Sequence, residues 1–187
     1  MDNDLVSSPE TNQPRRALIL LSTAIAVFAL DVVTKVLALS ALEGKEPTRV
    51  LGGLVYLQIV RNPGAAFSIA TGMTWVLALV AIGVVVAIIW ILPKLRSTGW
   101  AVGLGLVLAG ALGNLTDRFF RAPGPLRGHV IDFVSLFGPN GEHWPVFNVA
   151  DSSIVVGGIL IVLLSLLGHE YDGRRSKDKK SEAAPSE

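Results

Sequence analysis

Two aspartates, Asp132 and Asp151, stand out in this chain because no cation at local spacing neutralises either of them. Carboxyls left unneutralised at a boundary between lipid and water are poised to titrate and to exchange protons, the raw material of general acid and base chemistry. Other polar residues sit in similarly apolar sequence. Asp31 has Lys35 four residues on, and Asp117 is followed by Arg118. On a helix Asn114, Asp117 and Arg118 share one face at i, i+3 and i+4, as do Asn148 and Asp151 at i and i+3. The plain alternative is that these are bundle-interior polar residues: Asp31 with Lys35, Asp117 with Arg118 or a loop arginine, and the asparagines bonding between helices. That accounts for any one of them better than for all, because packing four helices needs fewer polar groups.

Residue type and spacing exclude much other chemistry. With no cysteine there is no disulfide framework, thiolate metal site or cysteine nucleophile. There is no GxSxG elbow, HExxH pair or phosphate-binding glycine loop, and His129, His143 and His169 are not at metal-ligand spacing on a common helix. Ser152 and Ser153 follow Asp151, yet no Lys or His stands where it would activate them. Neither a metal nor a cofactor is expected.

The elements that must hold these residues are apolar. The 187 residues are 51% hydrophobic and 17% charged with a formal net charge of +1, and the mean hydropathy is +0.55. No basic stripe with interleaved aromatics marks a nucleic-acid partner. Residues 1–16 and 168–187 hold eight of the 15 acids and seven of the 16 bases, so the middle of the chain is solvated by lipid. Four stretches, Ala17 to Ser40, Thr71 to Leu92, Gly99 to Thr116 and Val146 to Leu167, are each of roughly membrane-spanning length, the third being the shortest. At ~1.5 Å per residue, Asp31, Asn114 and Asp151 fall about 21, 22 and 24 Å from one common end of their helices, a single polar layer. Arg15, Arg16, Lys94, Arg96 and the five bases from Arg174 to Lys180 flank that common end, which the excess of positive charge marks as cytoplasmic. Both termini are then cytoplasmic and the polar layer lies near the outer leaflet. A cleaved signal peptide ending near Val36-Leu37-Ala38 is the competing reading of the N-terminus. The Asp31/Lys35 spacing favours a helix that stays in the membrane.

Between the spans, Val50 to Val60 is β-branched and aromatic and ends in the turn signal Asn62-Pro63-Gly64, which predicts short strands. Phe119 to Pro145 contains Arg121-Ala122-Pro123-Gly124-Pro125, then the mixed apolar run His129 to Phe137; both segments are expected to lie at the interface. Gly105, Ala109 and Gly113 make a small-residue stripe on the third span, suited to close helix packing or to an elongated ligand. The domain expectation is a disordered cytoplasmic tail at 1–16, a membrane domain at 17–167 and a second disordered cytoplasmic tail at 168–187.

Five runs together resemble a known family: Asp31-x-x-x-Lys35; Arg61-Asn62-Pro63-Gly64-Ala65-Ala66-Phe67; Gly110-Ala111-Leu112-Gly113-Asn114-Leu115-Thr116-Asp117-Arg118; Val130-Ile131-Asp132-Phe133; and Phe147-Asn148-Val149-Ala150-Asp151. In this order they are similar to the sequence blocks of lipoprotein signal peptidase, or signal peptidase II. The resemblance implies an all-α polytopic protein of the bacterial inner membrane, with four transmembrane helices, a small extracytoplasmic β-cradle around Val50 to Phe67 and a mobile periplasmic helix. It implies an aspartyl protease that cuts prolipoproteins just before a diacylglyceryl-modified cysteine, with Asp132 and Asp151 as the catalytic pair. Asn62, Asn114, Arg118 and Asn148 would bind substrate or support the pair, and Asp31, Lys35 and Asp117 would be structural or pocket-lining. The expected partners are prolipoproteins and membrane lipid, and the expected state is a monomer. The departure from the family pattern is a longer spacer at Arg121 to Arg127. A proton-coupled carrier would also need intramembrane carboxylates, but the cytoplasmic halves of these spans are almost purely apolar. A non-catalytic assembly partner is the third reading.

Overall fold

Small residues decide which helix sits at the centre. The computed structural model describes residues 13–64 and 73–175, and its helices are α1 (Gln13–Leu42), α2 (Thr74–Ile91), α3 (Thr98–Phe120) and α4 (Val149–Leu166). All four are long and apolar enough to cross a membrane; half of the most apolar stretch of α3 is buried, against 17% or less in the others. Helix α3 packs on each of the other three, because glycine lets neighbouring backbones approach. A Cβ on Gly105 would lie 2.8 Å from the Leu20 carbonyl oxygen of α1, and one on Gly110 would lie 2.4 Å from the Ala150 carbonyl oxygen of α4. Close helix packing is therefore what the small-residue stripe does.

The outer surfaces of α1, α2 and α4 present Ile25, Val33, Val86, Ile89, Ile159 and Val162 fully enough to meet lipid. Inside, Leu20, Ala24, Ile88, Leu95, Ala101, Leu104 and Leu108 form one apolar cluster. That cluster lies toward the end where the start of α1 meets the α2–α3 turn, marked by the Arg16 Nε donating to the Arg96 carbonyl at 3.0 Å.

Structure extends past both expected domain boundaries. Helix α1 begins at Gln13 and runs unbroken to Leu42, through the site at which a signal peptide would be cut. After α4, the Tyr171 carbonyl accepts from the Arg96 amide at 2.8 Å, and the Trp100 indole donates to the His169 carbonyl at 2.8 Å. Residues 1–12 and 176–187, the remainder of the expected tails, lie outside the described residues.

At the opposite end is an antiparallel sheet in the order β1 (Thr48–Val50), β2 (Val55–Asn62), β3 (Val130–Leu136). The first hairpin matches the strands expected around Val50 to Val60. The third strand comes from the run His129 to Phe137, which the sequence pattern placed only at the interface. Its register sets Val60 opposite Asp132 and Asn62 opposite Val130, so β2 ends beside the residue of interest. Residues 65–72, including the end of the Arg61 to Phe67 block, lie outside the described residues, and no additional long helix occurs among those described. Between α3 and β3 the spacer closes on itself: the His129 amide donates to the Ala122 carbonyl at 3.1 Å, and the Gly128 amide to the Arg118 carbonyl at 3.0 Å.

Candidate active site

Asn148 is the first residue to understand. It is the N-cap of α4, where an asparagine oxygen can accept from an orphan amide of the first turn. Here that amide is Asp151 N, at 2.9 Å. The Asp151 carboxylate completes a reciprocal capping box by accepting from the Asn148 amide at 3.2 Å. The Asn148 Nδ2 is thereby aimed the other way, and it donates to Asp132 Oδ1 at 2.7 Å. One side chain thus ties the start of α4 to the middle of β3 and brings the two unneutralised aspartates into one site.

The other carboxylate oxygens have partners too. Asn62 Nδ2, at the end of β2, donates to Asp132 Oδ2 at 2.9 Å. Asn114 Nδ2, on α3, donates to Asp151 Oδ1 at 2.7 Å. Arg118, one turn further along α3, is 7% exposed. It does not pair with its neighbour Asp117; its guanidinium donates to the Asn114 carbonyl at 3.2 Å and the Gly64 carbonyl at 3.1 Å. Its Nε is buried and has no hydrogen-bond partner among the described residues.

Asp31, Lys35 and Asp117 lie behind this layer, and none of them lines the cavity described below. Lys35 Nζ is 2.8 Å from Asp31 Oδ2 and 2.8 Å from Asp117 Oδ2. Asp117 also pairs with Arg121, one turn on. Of the two partners the sequence offers Asp117, Arg118 or a loop arginine, the structure selects the loop arginine, Arg121, whose i, i+4 spacing from Asp117 suits the pairing.

Burial has a price for Asp132, which is 1% exposed. Loss of hydration, with the nearby charge of Asp151 adding to it, pushes its carboxyl up to about 7; amides of Asn62 and Asn148 and the Lys35 charge pull the other way. Charge counting in the layer agrees. Four carboxylates, Asp31, Asp117, Asp132 and Asp151, face three cations, Lys35, Arg118 and Arg121. With the Asp132 carboxyl protonated the layer is neutral.

The pair opens onto a cavity of about 710 Å³. Asn62, Asn114, Arg118, Asp132, Asp151 and Ser152 supply its polar lining, while Leu77, Val80 and Val84 of α2, Val107 and Ala111 of α3 and Val155 of α4 make it otherwise apolar. Such a space accepts an extended apolar chain and brings one polar link of it to the aspartates.

Fold and site together define a multi-pass membrane protein with one buried and one half-buried aspartate at the polar end of an apolar cavity. Residues 23–167 match the family model described as signal peptidase (SPase) II, and the chain belongs to that family of proteases. It is 56% identical over 177 residues to the lipoprotein signal peptidase of Mycobacterium avium (strain 104), covering 94% of each chain. It is likewise 56% identical over 172 residues to that of Rhodococcus jostii (strain RHA1), covering 92% of this chain and 83% of the relative. Two solved bacterial membrane enzyme structures share the fold. One matches with a TM-score of 0.69 at 27% identity, over 90% of this chain and 93% of the other. The second matches with a TM-score of 0.66 at 30% identity, over 79% and 92%.

Proposed function

We propose that this chain is an aspartic endopeptidase that removes the signal peptide from prolipoproteins immediately before the diacylglyceryl-modified cysteine. The observation that carries the aspartic mechanism is the Asn148 side chain, which accepts from the backbone of one aspartate and donates to the carboxylate of the other. The pair holds one proton. The ionised member takes a proton from water as it attacks the scissile carbonyl, and the protonated member donates to the carbonyl oxygen as charge develops there. The proton then passes to the leaving amine. Asn62, Asn114 and Asn148 fix both carboxylates, and Arg118 adds a positive charge to the cavity wall beside them. The apolar cavity takes the end of the signal segment in extended form while the rest of that segment stays in lipid, with the modified cysteine at the bilayer surface.

In this reading the protein is a monomer of the bacterial cytoplasmic membrane, with residues 17–167 as the catalytic domain. Both termini face the cytoplasm and the site lies near the outer leaflet. The gathering of Arg15, Arg16, Lys94, Arg96, Arg174 and Arg175 toward the end away from the site supports that orientation. Because the chain has no cysteine, single cysteines introduced at Lys45 and Lys94 report sidedness directly. An impermeant maleimide applied to intact cells should label the first and spare the second. Activity is tested with purified protein in detergent and a synthetic diacylglyceryl-cysteine lipopeptide. Cleavage on the amino side of the lipidated cysteine is expected; cleavage elsewhere, or none, overturns the assignment.

A further inference from the structure

Lys35 sits 1% exposed at the meeting point of three acceptors. Its ammonium contacts Asp31 Oδ2 and Asp117 Oδ2 at 2.8 Å each and donates to Asn114 Oδ1 at 3.2 Å. What those acceptors do next is unexpected. Asp31 Oδ1 accepts from the Ala150 amide at 2.9 Å, and Asp117 Oδ2 accepts from the Ile131 amide at 3.2 Å. Ala150 immediately precedes Asp151, and Ile131 immediately precedes Asp132. The third acceptor is just as direct. With its Oδ1 turned toward Lys35, Asn114 must present Nδ2 to Asp151.

Stability alone does not account for this arrangement. Buried ion pairs lose in desolvation much of what they gain in attraction, and well-packed apolar side chains hold a bundle as well or better. What an apolar replacement cannot do is accept the two peptide amides that carry the aspartates into position. We propose that Lys35, clamped between Asp31 and Asp117, is a positioning residue of the peptidase reaction that sets the spacing of the two aspartate-bearing backbones and the orientation of the Asn114 amide. This rests on the reading of Asp132 and Asp151 as the catalytic pair.

Lys35 also acts on the pair through its charge. Asp132 is faced by Asp151 and Asn148 from the start of α4, by Asn62 from β2, by Lys35 from α1 and by Arg118 from α3. Asp31 and Asp117 lie beyond Lys35. Of the two cations, Lys35 is the one that can be removed without touching the cavity wall.

The test uses the full chain in detergent with the lipopeptide substrate. Lys35→Met should lower kcat about 100-fold, the cost of misplacing reacting groups by roughly 1 Å, and leave KM within about threefold. The alkaline limb of the kcat profile should move to higher pH, because Asp132 then keeps its proton longer. A merely structural role would not move that limb in the folded fraction. Where Lys35→Met does not fold, Asp31→Asn/Lys35→Met leaves Asp117 paired with Arg121, and its kcat should fall about as far. Wild-type kcat with an unmoved limb in the folded variant, or wild-type kcat in the charge-balanced double variant, overturns the proposal. Full cleavage by Asp132→Asn or Asp151→Asn would instead overturn the catalytic pair on which it rests.

Discussion

Around Leu20, Leu95 and Leu104 the bundle is held by apolar side chains that touch one another, whereas around Asn114 and Asn148 it is held by amides and carboxylates in fixed pairs. Contact between apolar groups has no direction, so the first region tolerates any side chains of suitable volume. Hydrogen-bonded networks are directional, and each partner removed leaves another unsatisfied in a dry interior. The same four helices thus carry a forgiving end and an exacting one. The proposed function belongs to the exacting end.

The sharpest way to break this contrast is at the pair itself. Asp132→Asn and Asp151→Asn should each lower lipopeptide cleavage by about 10³-fold or more, since an amide cannot exchange the proton, while thermal unfolding in detergent stays cooperative. Retained cleavage in either variant would remove the distinction between the two ends. Matched glycine substitutions probe the same contrast through the backbone. A Cβ at Gly110 would lie 2.4 Å from the Ala150 carbonyl oxygen, next to Asp151, whereas at Gly103 the nearest atom is the Ile161 Cγ1, 2.8 Å away on a side chain that can rotate. Gly110→Ala should lower kcat about 100-fold, and Gly103→Ala should leave kcat within a factor of about three.

The pH dependence sharpens the comparison further. Because the Asp132 carboxyl is pushed up to about 7, the pair loses its shared proton above that pH, and kcat should fall about tenfold per unit beyond it. The stability effect has a definite sign. A raised carboxyl contributes most below its ordinary value near 3.8 and loses that contribution as pH rises through about 7. The melting temperature of the wild type should therefore fall relative to that of Asp132→Asn between pH 5 and 8. Parallel curves would show that Asp132 is not the buried acid. At the apolar end, Leu20→Ala should cost about 2–4 kcal/mol in unfolding free energy with kcat unchanged in the folded fraction. The smallest effect is expected at the exposed Arg61–Glu43 pair, whose side chains are 47% and 50% exposed. Arg61→Ala should change stability by under about 1 kcal/mol.

The spans and the aspartate pair were legible because both are conspicuous departures: long apolar runs in one case, and carboxylates without local cations in the other. The third strand was not, for a physical reason. Val130 to Phe133 are buried in succession, so both faces of β3 are covered and the sequence shows no two-residue alternation to read. Adjacency also misleads where geometry decides. Asp117 and Arg118 both flank the face that Asn114 marks, but consecutive helical side chains diverge by about 100° and do not meet, and the carboxylate finds Lys35 and Arg121 instead. The clamps on Ala150 and Ile131 left no mark at all, since any residue type supplies a peptide amide.

The spacer between α3 and β3 bears on how this architecture can vary. Its two ends are joined by the His129 to Ala122 hydrogen bond, and Gly128 seats against the last turn of α3, where a Cβ would meet the Asp117 carbonyl oxygen at 2.3 Å. Residues 123–127 are consequently an appendix whose length is invisible to Asp132. Closing a longer loop costs little, about 0.6 kcal/mol per doubling. The spacer can lengthen, shorten or acquire new sequence over evolutionary time without retuning the aspartates, which makes it the place where one proposed catalytic layer can be fitted with different surfaces.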